Sequence, residues 1–359
     1  MSYTPGSGSV AIVRKYLYFD AVNKTNVDRL NLALKAYKVS DTTSVSTSST
    51  TRTNAKTYTY DTTGGLTPRK IRIRVYGYTG TGTTMYVYIN IDGVDVKSGS
   101  TTSTSETLVI DYIGDIGAGA HTIKIDYYSS SGIAAVITKV YIVDSYVVTS
   151  TTATTIASVT IDPSAEYVLR YSGGFSFEVG LRCKLAYTVY RKLSANATIS
   201  VDGKSGSIAV ADDGDSVAGV SGALYDTYAL SQNTFTISAN VGASGDILWI
   251  LDLKLYVQVT LRGNQTDVYA TASYWSVLIN EIGVVYLSAR AVSLSGSSYA
   301  VKLFAPTKDG SKQLYVSGAG TDIIVNTTAV NTNQLVLYVD RGEDTNSYSA
   351  ILFLYIVVI

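Results

Sequence analysis

Leu335-Val336-Leu337-Tyr338-Val339, the polar run Asp340-Arg341-Gly342-Glu343-Asp344-Thr345-Asn346-Ser347, and then Tyr348 to Ile359 form the stretch that decides the fold. A strand, a polar turn and a long closing strand follow one another there, with apolar runs rich in Val, Ile, Leu and Tyr. The same unit occurs twice earlier, as Thr122–Val148 around Ser129-Ser130-Ser131-Gly132 and as Thr234–Leu261 around Gly242-Ala243-Ser244-Gly245-Asp246. A second marker repeats in step with it. The hairpin signals Asp92-Gly93, Asp202-Gly203 and Asp309-Gly310 recur at intervals of 110 and 107 residues. Two markers with one spacing predict tandem copies of a single β-fold.

Within the first copy, Ile71-Arg72-Ile73-Arg74-Val75-Tyr76-Gly77-Tyr78 alternates with a period of two. That period sends Ile71, Ile73 and Val75 inward and Arg72, Arg74, Tyr76 and Tyr78 outward. After a Gly-rich turn over Thr79–Thr84, Met85, Val87, Ile89 and Ile91 face in, while Tyr86, Tyr88 and Asn90 face out. Val179–Tyr190 with Ala197–Val201, and Val284–Val292 with Tyr299–Phe304, repeat the arrangement. The pattern predicts an all-β protein of three tandem antiparallel β-sandwiches, 41–148, 149–261 and 262–359, with joins in the polar Thr149–Thr155 and Arg262–Asp267. Jelly-roll and immunoglobulin-like sandwiches both fit; uneven loop lengths and the lack of a Cys–Trp–Cys core favour the jelly roll. Residues 1–40 have no counterpart in the other copies and read as an N-terminal arm or attachment segment. Within them Val27–Val39 half fits a helical period, and a strand pair from Ala11–Phe19 and Leu30–Val39 fits as well. Thr42–Lys56, rich in Ser and Thr, reads as a long surface loop.

Charged residues make up 16% of the chain, and 28 basic side chains balance 28 acidic ones. With no net field, the composition argues against a nucleic-acid partner. Met1-Ser2-Tyr3-Thr4-Pro5-Gly6 lacks the pattern of a signal peptide, which predicts synthesis in the cytoplasm. The apolar run Ala350–Ile359 is too short to span a bilayer and reads as a strand buried on both faces. Cys183, the single cysteine, excludes an intrachain disulfide and reads as a small buried strand residue.

Hydrolytic and metal chemistry needs histidines, cysteines or converging carboxylates. His121 is the sole histidine and lies at a loop entering a strand, and the glutamates are scattered. The inventory predicts neither an enzyme nor a cofactor. Asp212-Asp213-Gly214-Asp215 offers the best cation loop, through Asp212, Asp213 and Asp215, but it lacks EF-hand spacing and reads more simply as an acidic turn. Four sequons, at Asn23, Asn196, Asn264 and Asn326, mark possible glycosylation in a Thr-rich chain. The outward tyrosines Tyr76, Tyr78, Tyr86 and Tyr88 carry more information: such rings serve contact with another subunit, glycan stacking, or plain strand surface.

The repeated close, Gly119-Ala120-His121-Thr122-Ile123-Lys124-Ile125 followed by Val140-Tyr141-Ile142-Val143, resembles jelly-roll surface proteins of viruses that infect hyperthermophilic archaea. In length, composition and repetition the whole chain resembles the turret (vertex spike) proteins of turreted icosahedral archaeal viruses. That resemblance implies a virion-surface structural protein that assembles with copies of itself as a pentamer at capsid vertices. It also implies contact with other capsid proteins and with a host receptor or surface glycan. Two other readings stand beside it. One is a subunit of an archaeal extracellular filament or tube, in which an arm such as Ser2–Phe19 donates a strand to its neighbour. The other is a carbohydrate-binding adhesin.

Overall fold

The computed structural model describes the backbone of residues 15–21, 28–171, 178–229, 231–262, 272–293, 301–307, 310–316, 322–340 and 349–358. Side chains are described for 18–21, 28–170, 179–181, 183–224, 231–257 and 259. The described backbone is almost entirely antiparallel β, interrupted by one 3-10 turn, Pro163–Ala165. No helix among the described residues is long and apolar enough to cross a membrane.

Strand β1 is Lys15–Asp20, and β2 (Tyr37–Asp41) and β3 (Val45–Thr47) follow. Then come β4 (Thr53–Asp61), β5 (Arg69–Thr79), β6 (Met85–Ile91), β7 (Val94–Thr101), β8 (Thr107–Ile116), β9 (Ala120–Ser129) and β10 (Ala135–Val148). Two sheets result. One runs β4-β9-β6-β7; in the other β10 pairs with β5 and β5 with β8, while β2 and β3 pair with β10. Ile71, Ile73, Val75, Val140 and Ile142 of the second sheet meet Met85, Val87, Ile89, Ile123 and Ile125 of the first in one core. The period-two reading of these strands therefore holds. Each such fully buried side chain contributes about 1.5–3 kcal/mol by leaving water. Gly77 is required where β5 runs beside β10, because a Cβ there would clash with the Val136 carbonyl oxygen.

The plan repeats in β11 (Thr154–Thr160), β12 (Val168–Tyr171), β13 (Glu178–Lys192), β14 (Ala197–Val201), β15 (Lys204–Ile208), β16 (Val220–Ala229), β17 (Thr234–Asn240) and β18 (Ile247–Arg262). A sheet β11-β17-β14-β15 matches β4-β9-β6-β7, and β18-β13-β16 matches β10-β5-β8. Leu181, Leu185, Leu253 and Leu255 face Ile199, Val201, Phe235 and Ile237 across the second core. The repeat extends to single atoms. Asp92 and Gly93 have φ of +53° and +88°, and Asp202 and Gly203 have +44° and +83°, the left-handed pair that a tight two-residue hairpin needs. The Asp92 N–H donates to the Thr122 carbonyl at 2.9 Å, and its carboxylate accepts the Thr122 N–H at 2.7 Å. Asp202 does the same with Thr236, at 3.0 and 2.9 Å.

The join near Val148 is a surprise. Tyr146, Val147 and Val148 of β10 pair with Ile250, Trp249 and Leu248 of β18, so one eight-stranded sheet, β16-β13-β18-β10-β5-β8 with β2 and β3 beside β10, backs both cores. A third cluster, Val143, Val147, Tyr190, Ile247, Trp249 and Leu251, fills the junction.

In the C-terminal portion, β19 (Ala272–Ser293) lies between β22 (Asp322–Asp340) and β23 (Ser349–Val358), and β20 (Val301–Thr307) pairs with β21 (Gly310–Val316). The two strands of the deciding stretch are thus neighbours of β19 and not of each other. Arg341–Tyr348, Asp309 and Ile359 lie outside the described residues, as does side-chain burial along β23.

Several expectations change. Residues 28–39 contain no helical turn; β1 pairs with β12 and β23 rather than with the segment over 30–39. Thr42–Lys56 is not a plain loop, since β3 and the start of β4 lie within it. Arg72 points to the outer face as predicted but is buried there, 2% exposed.

Candidate functional site

Arg72 is buried because the second sandwich covers the outer face of β5. Its Nε donates to Asp111 Oδ1 at 2.9 Å and its Nη2 to Asp111 Oδ2 at 2.6 Å. On the other side Nη1 donates to Asp212 Oδ1 at 2.5 Å and Nη2 to Asp212 Oδ2 at 3.1 Å. Asp111 belongs to β8 and Asp212 to the loop after β15, so one guanidinium bridges the two sandwiches. Nη1 also reaches the Tyr190 hydroxyl at 3.2 Å, and that hydroxyl donates to the Gly214 carbonyl at 2.7 Å. Burial works against the charge on Arg72, but its bonds to Asp111 and Asp212 outweigh this and hold it above its ordinary value. Burial pushes Asp212 up, while the bonds and charge of Arg72 hold it below the usual carboxylate range. Burial raises the Tyr190 hydroxyl to about 12.

The rest of the acidic loop docks in the same way. Asp215 accepts from Arg74 Nη1 at 2.6 Å and from the Tyr76 hydroxyl at 3.0 Å. Burial, with the bond to Asp215, raises Tyr76 to about 12. Asp213 accepts from Arg191 Nη2 at 2.8 Å and from the Arg191 N–H at 2.7 Å. A cation at Asp212, Asp213 and Asp215 would have to displace three arginines; the geometry assigns Asp212 and Asp215 to joining the sandwiches and Asp213 to fixing the loop on β13 of its own sandwich. Among the described residues no group of three or more His, Cys, Asp or Glu side chains is arranged to hold a metal.

Of the outward tyrosines, the structure brings Tyr76 into this junction. Its ring meets that of Tyr141 edge-on, with centroids 6.0 Å apart at 89°. Tyr78 is half-buried on the same face. Tyr86 and Tyr88 lie elsewhere, on the outer face of the sheet β4-β9-β6-β7. Tyr86 stacks on Tyr128 at 4.9 Å, Tyr88 lies nearly parallel to Tyr128 at 6.2 Å, and the Arg52 guanidinium sits 4.5 Å from the Tyr88 centroid. Arg52 is fixed in turn by two bonds to Asp95, of 2.5 and 2.7 Å, and one to Asp126, of 2.9 Å. A glycan stacking on the face of Tyr88 that Arg52 covers would have to displace Arg52. Beside this ladder an open pocket of about 400 Å³ is lined by Tyr88, Asp95, Val96, Lys97 and Ser98.

The remaining candidates lie apart from the junction. Cys183 is 1% exposed in the second core. His121 Nδ1 lies 2.7 Å from Asp92 and Nε2 lies 3.0 Å from the Gly117 carbonyl oxygen, which ties the Asp92-Gly93 turn to the loop between β8 and β9. Asn196 is exposed, and its Oδ1 accepts the Val210 N–H at 3.0 Å. Asn326 lies in β22 opposite Ser288, and Asn23 and Asn264 fall outside the described residues.

Sequence reasoning missed the most buried ion pair. Arg69 Nε donates to Asp144 Oδ1 at 3.1 Å, and its Nη1 and Nη2 donate to the carbonyls of Leu34 and Lys35 at 2.7 and 3.0 Å. Both side chains are fully buried. The available signal was the charges themselves, set inside apolar strands of a chain that uses few. No family model matches the sequence, and no curated protein matches it.

Proposed function

We propose that this chain is a structural subunit of a virion, a jelly-roll component of a capsid vertex turret that assembles with copies of itself and faces the host. The observation that carries the reading is the junction: a shared sheet and a buried arginine between Asp111 and Asp212 hold successive sandwiches in a fixed relation. Here the ionisable groups serve rigidity, as a projecting spike requires. Three serial jelly rolls with limits near 148 and 261 belong to the same proposal. In its support, the first described portion alternates between sheets along β3 to β10 as a jelly roll does, giving β3-β10-β5-β8 opposite β4-β9-β6-β7. The tyrosine ladder Tyr86, Tyr128 and Tyr88 on the outer face of β6 and β9 suits packing against a second copy or another capsid protein.

Electron microscopy of particles carrying the protein, with antibody labelling, tests this directly. Label on fivefold projections is the expected image. Label along a continuous fibre would replace the turret with the filament reading, and a protein that stays monomeric at high concentration would overturn both.

A further inference from the structure

The described residues between Lys15 and Thr47 touch all three portions of the chain, in reverse order. β1 runs antiparallel to β23, from Lys15 opposite Val358 to Asp20 opposite Phe353, and antiparallel to β12, from Leu17 opposite Tyr171 to Asp20 opposite Val168. Asp28 then bridges to Tyr256 of β18, and the Arg29 N–H donates to the Leu255 carbonyl at 2.7 Å. Lastly β2 and β3 pair with β10. The partners β23, β18 and β10 are the closing strands of the three portions; on the opposite side they pair with β19, β13 and β5, and the ends of β10 and β18 pair with each other. The N-terminal segment therefore occupies one equivalent position beside each closing strand.

Among the described residues, β1 is the only strand that links β12 to the rest of its sheet, whose order is β12-β1-β23-β19-β22. Without it, β12 and β23 would each show an unpaired edge, and such edges recruit strands. Side chains anchor the segment as well. Phe19 is fully buried, 6.1 Å from the Tyr167 ring, and Ala21 and Leu34 enter the second core. The Arg29 guanidinium grips Glu166 through two bonds of 3.1 Å.

We propose that the slot between β12 and β23 is a strand-acceptor site for the N-terminal segment of this sequence, and that a second copy supplies the segment when the slot's own is withdrawn. Backbone pairing provides affinity for any extended chain, and the Phe19 pocket selects this one. Exchange between identical copies preserves each contact, which makes it a low-cost route to assembly. The inference does not depend on the virion reading.

The test uses full-length protein with Phe19→Asp, which weakens the resident strand, and a labelled synthetic peptide spanning residues 12–22 with the native sequence. The variant should take up peptide saturably and about tenfold more tightly than the native protein, whose slot is filled. Bound peptide should restore amide protection to β12 and β23, while β5 of the first sandwich stays protected throughout. Native mass spectrometry of mixed native and variant chains should show a dimer that free peptide dissociates. A folded variant that binds no peptide, or whose β12 and β23 exchange as slowly as in the native protein, overturns the acceptor site. Peptide uptake with no mixed dimer overturns the second-copy donor. If Phe19→Asp does not fold, Phe19→Ala is read by the same criteria.

Discussion

The first sandwich is completed by its immediate neighbours in sequence, and the second by segments from elsewhere. Tyr37, Val39 and Val45, from the strands directly upstream, pack against the first core. The second core takes Phe19, Ala21 and Leu34 from the N-terminal segment and Tyr146 and Val148 from the end of β10. Two copies of one strand plan thus differ in contact order, since loop closure for the second spans most of the described chain. The lesson is that a repeat in sequence need not be an independent unit in folding. The second sandwich should gain its full stability only after the first sandwich and the N-terminal segment are in place.

The sharpest way to break this dependence is Arg69→Met. Arg69 holds Asp144 and the Leu34 and Lys35 carbonyls, so it fixes the N-terminal segment as the segment passes from one sandwich to the other. Its removal leaves a fully buried carboxylate without its partner, at a cost of about 3–5 kcal/mol. Chemical denaturation should show the loss, and amide exchange should show it reaching β18 as well as β5. Loss confined to β5 and its neighbours would mean that the second sandwich stands alone.

Arg72→Met should cost less, about 2 kcal/mol, because both of its carboxylate partners are partly exposed and can rehydrate. Here the outcome expected is separation: one unfolding transition becomes two, with Trp249 fluorescence following the junction. Trp249 suits this because it is fully buried and its Nε1 donates to the Lys70 carbonyl at 2.8 Å. Acid should imitate the substitution. Asp212 is held below its ordinary value, so its contribution is present above the unfolded carboxylate value, about 4, and is lost as pH falls through the folded one. Burial raises Asp144 against the pull of Arg69, so its contribution has the opposite sign, present at low pH and lost as pH rises. Acidification below about pH 4 should therefore loosen the junction before the first core, as read by Trp249 fluorescence in a Trp275→Phe background.

The equivalent turns offer a smaller and more symmetrical test. Asp92→Ala and Asp202→Ala each remove an acceptor for a Thr N–H and place alanine at positive φ, for about 1–2 kcal/mol. Asp92 also holds His121, whereas Asp202 accepts from Gln232 Nε2 at 3.2 Å. Asp92→Ala should be the more damaging of the two in thermal unfolding, and equal losses would show that His121 adds nothing.

How much of this was legible in the sequence depends on the range of each interaction. The Asp-Gly turns and the alternation of Ile71, Ile73 and Val75 are local, so spacing revealed both the strands and the repeat. Alternation placed Arg72 on the outer face but could not say what lies over that face. Asp212, Asp213 and Asp215 read as an acidic turn, with a cation loop as the alternative, and nothing in their spelling names the arginines they meet. The pairing of β1 with β23 joins the two ends of the chain, and no local pattern in Lys15–Asp20 names its partner.

The smallest expected effect concerns the other tyrosine face, where the contrast is between rings used by the fold and rings left over. Arg52→Ala removes a guanidinium whose side chain is 33% exposed, as its partner Asp95 is 45% exposed, so the stability loss should stay below about 1 kcal/mol. What changes is access, because the face of Tyr88 now covered by Arg52 becomes free. If this surface is a closed ladder, the native protein shows no Tyr88-dependent binding on a glycan array and the variant shows at most weak, unselective retention. Selective glycan binding by the native protein that disappears in Tyr88→Ala would instead mean that sugars bind through the pocket beside Asp95 and Lys97. In that case the outer faces of the two sheets would have divided their work, with Tyr76 holding the molecule together and Tyr88 binding sugar.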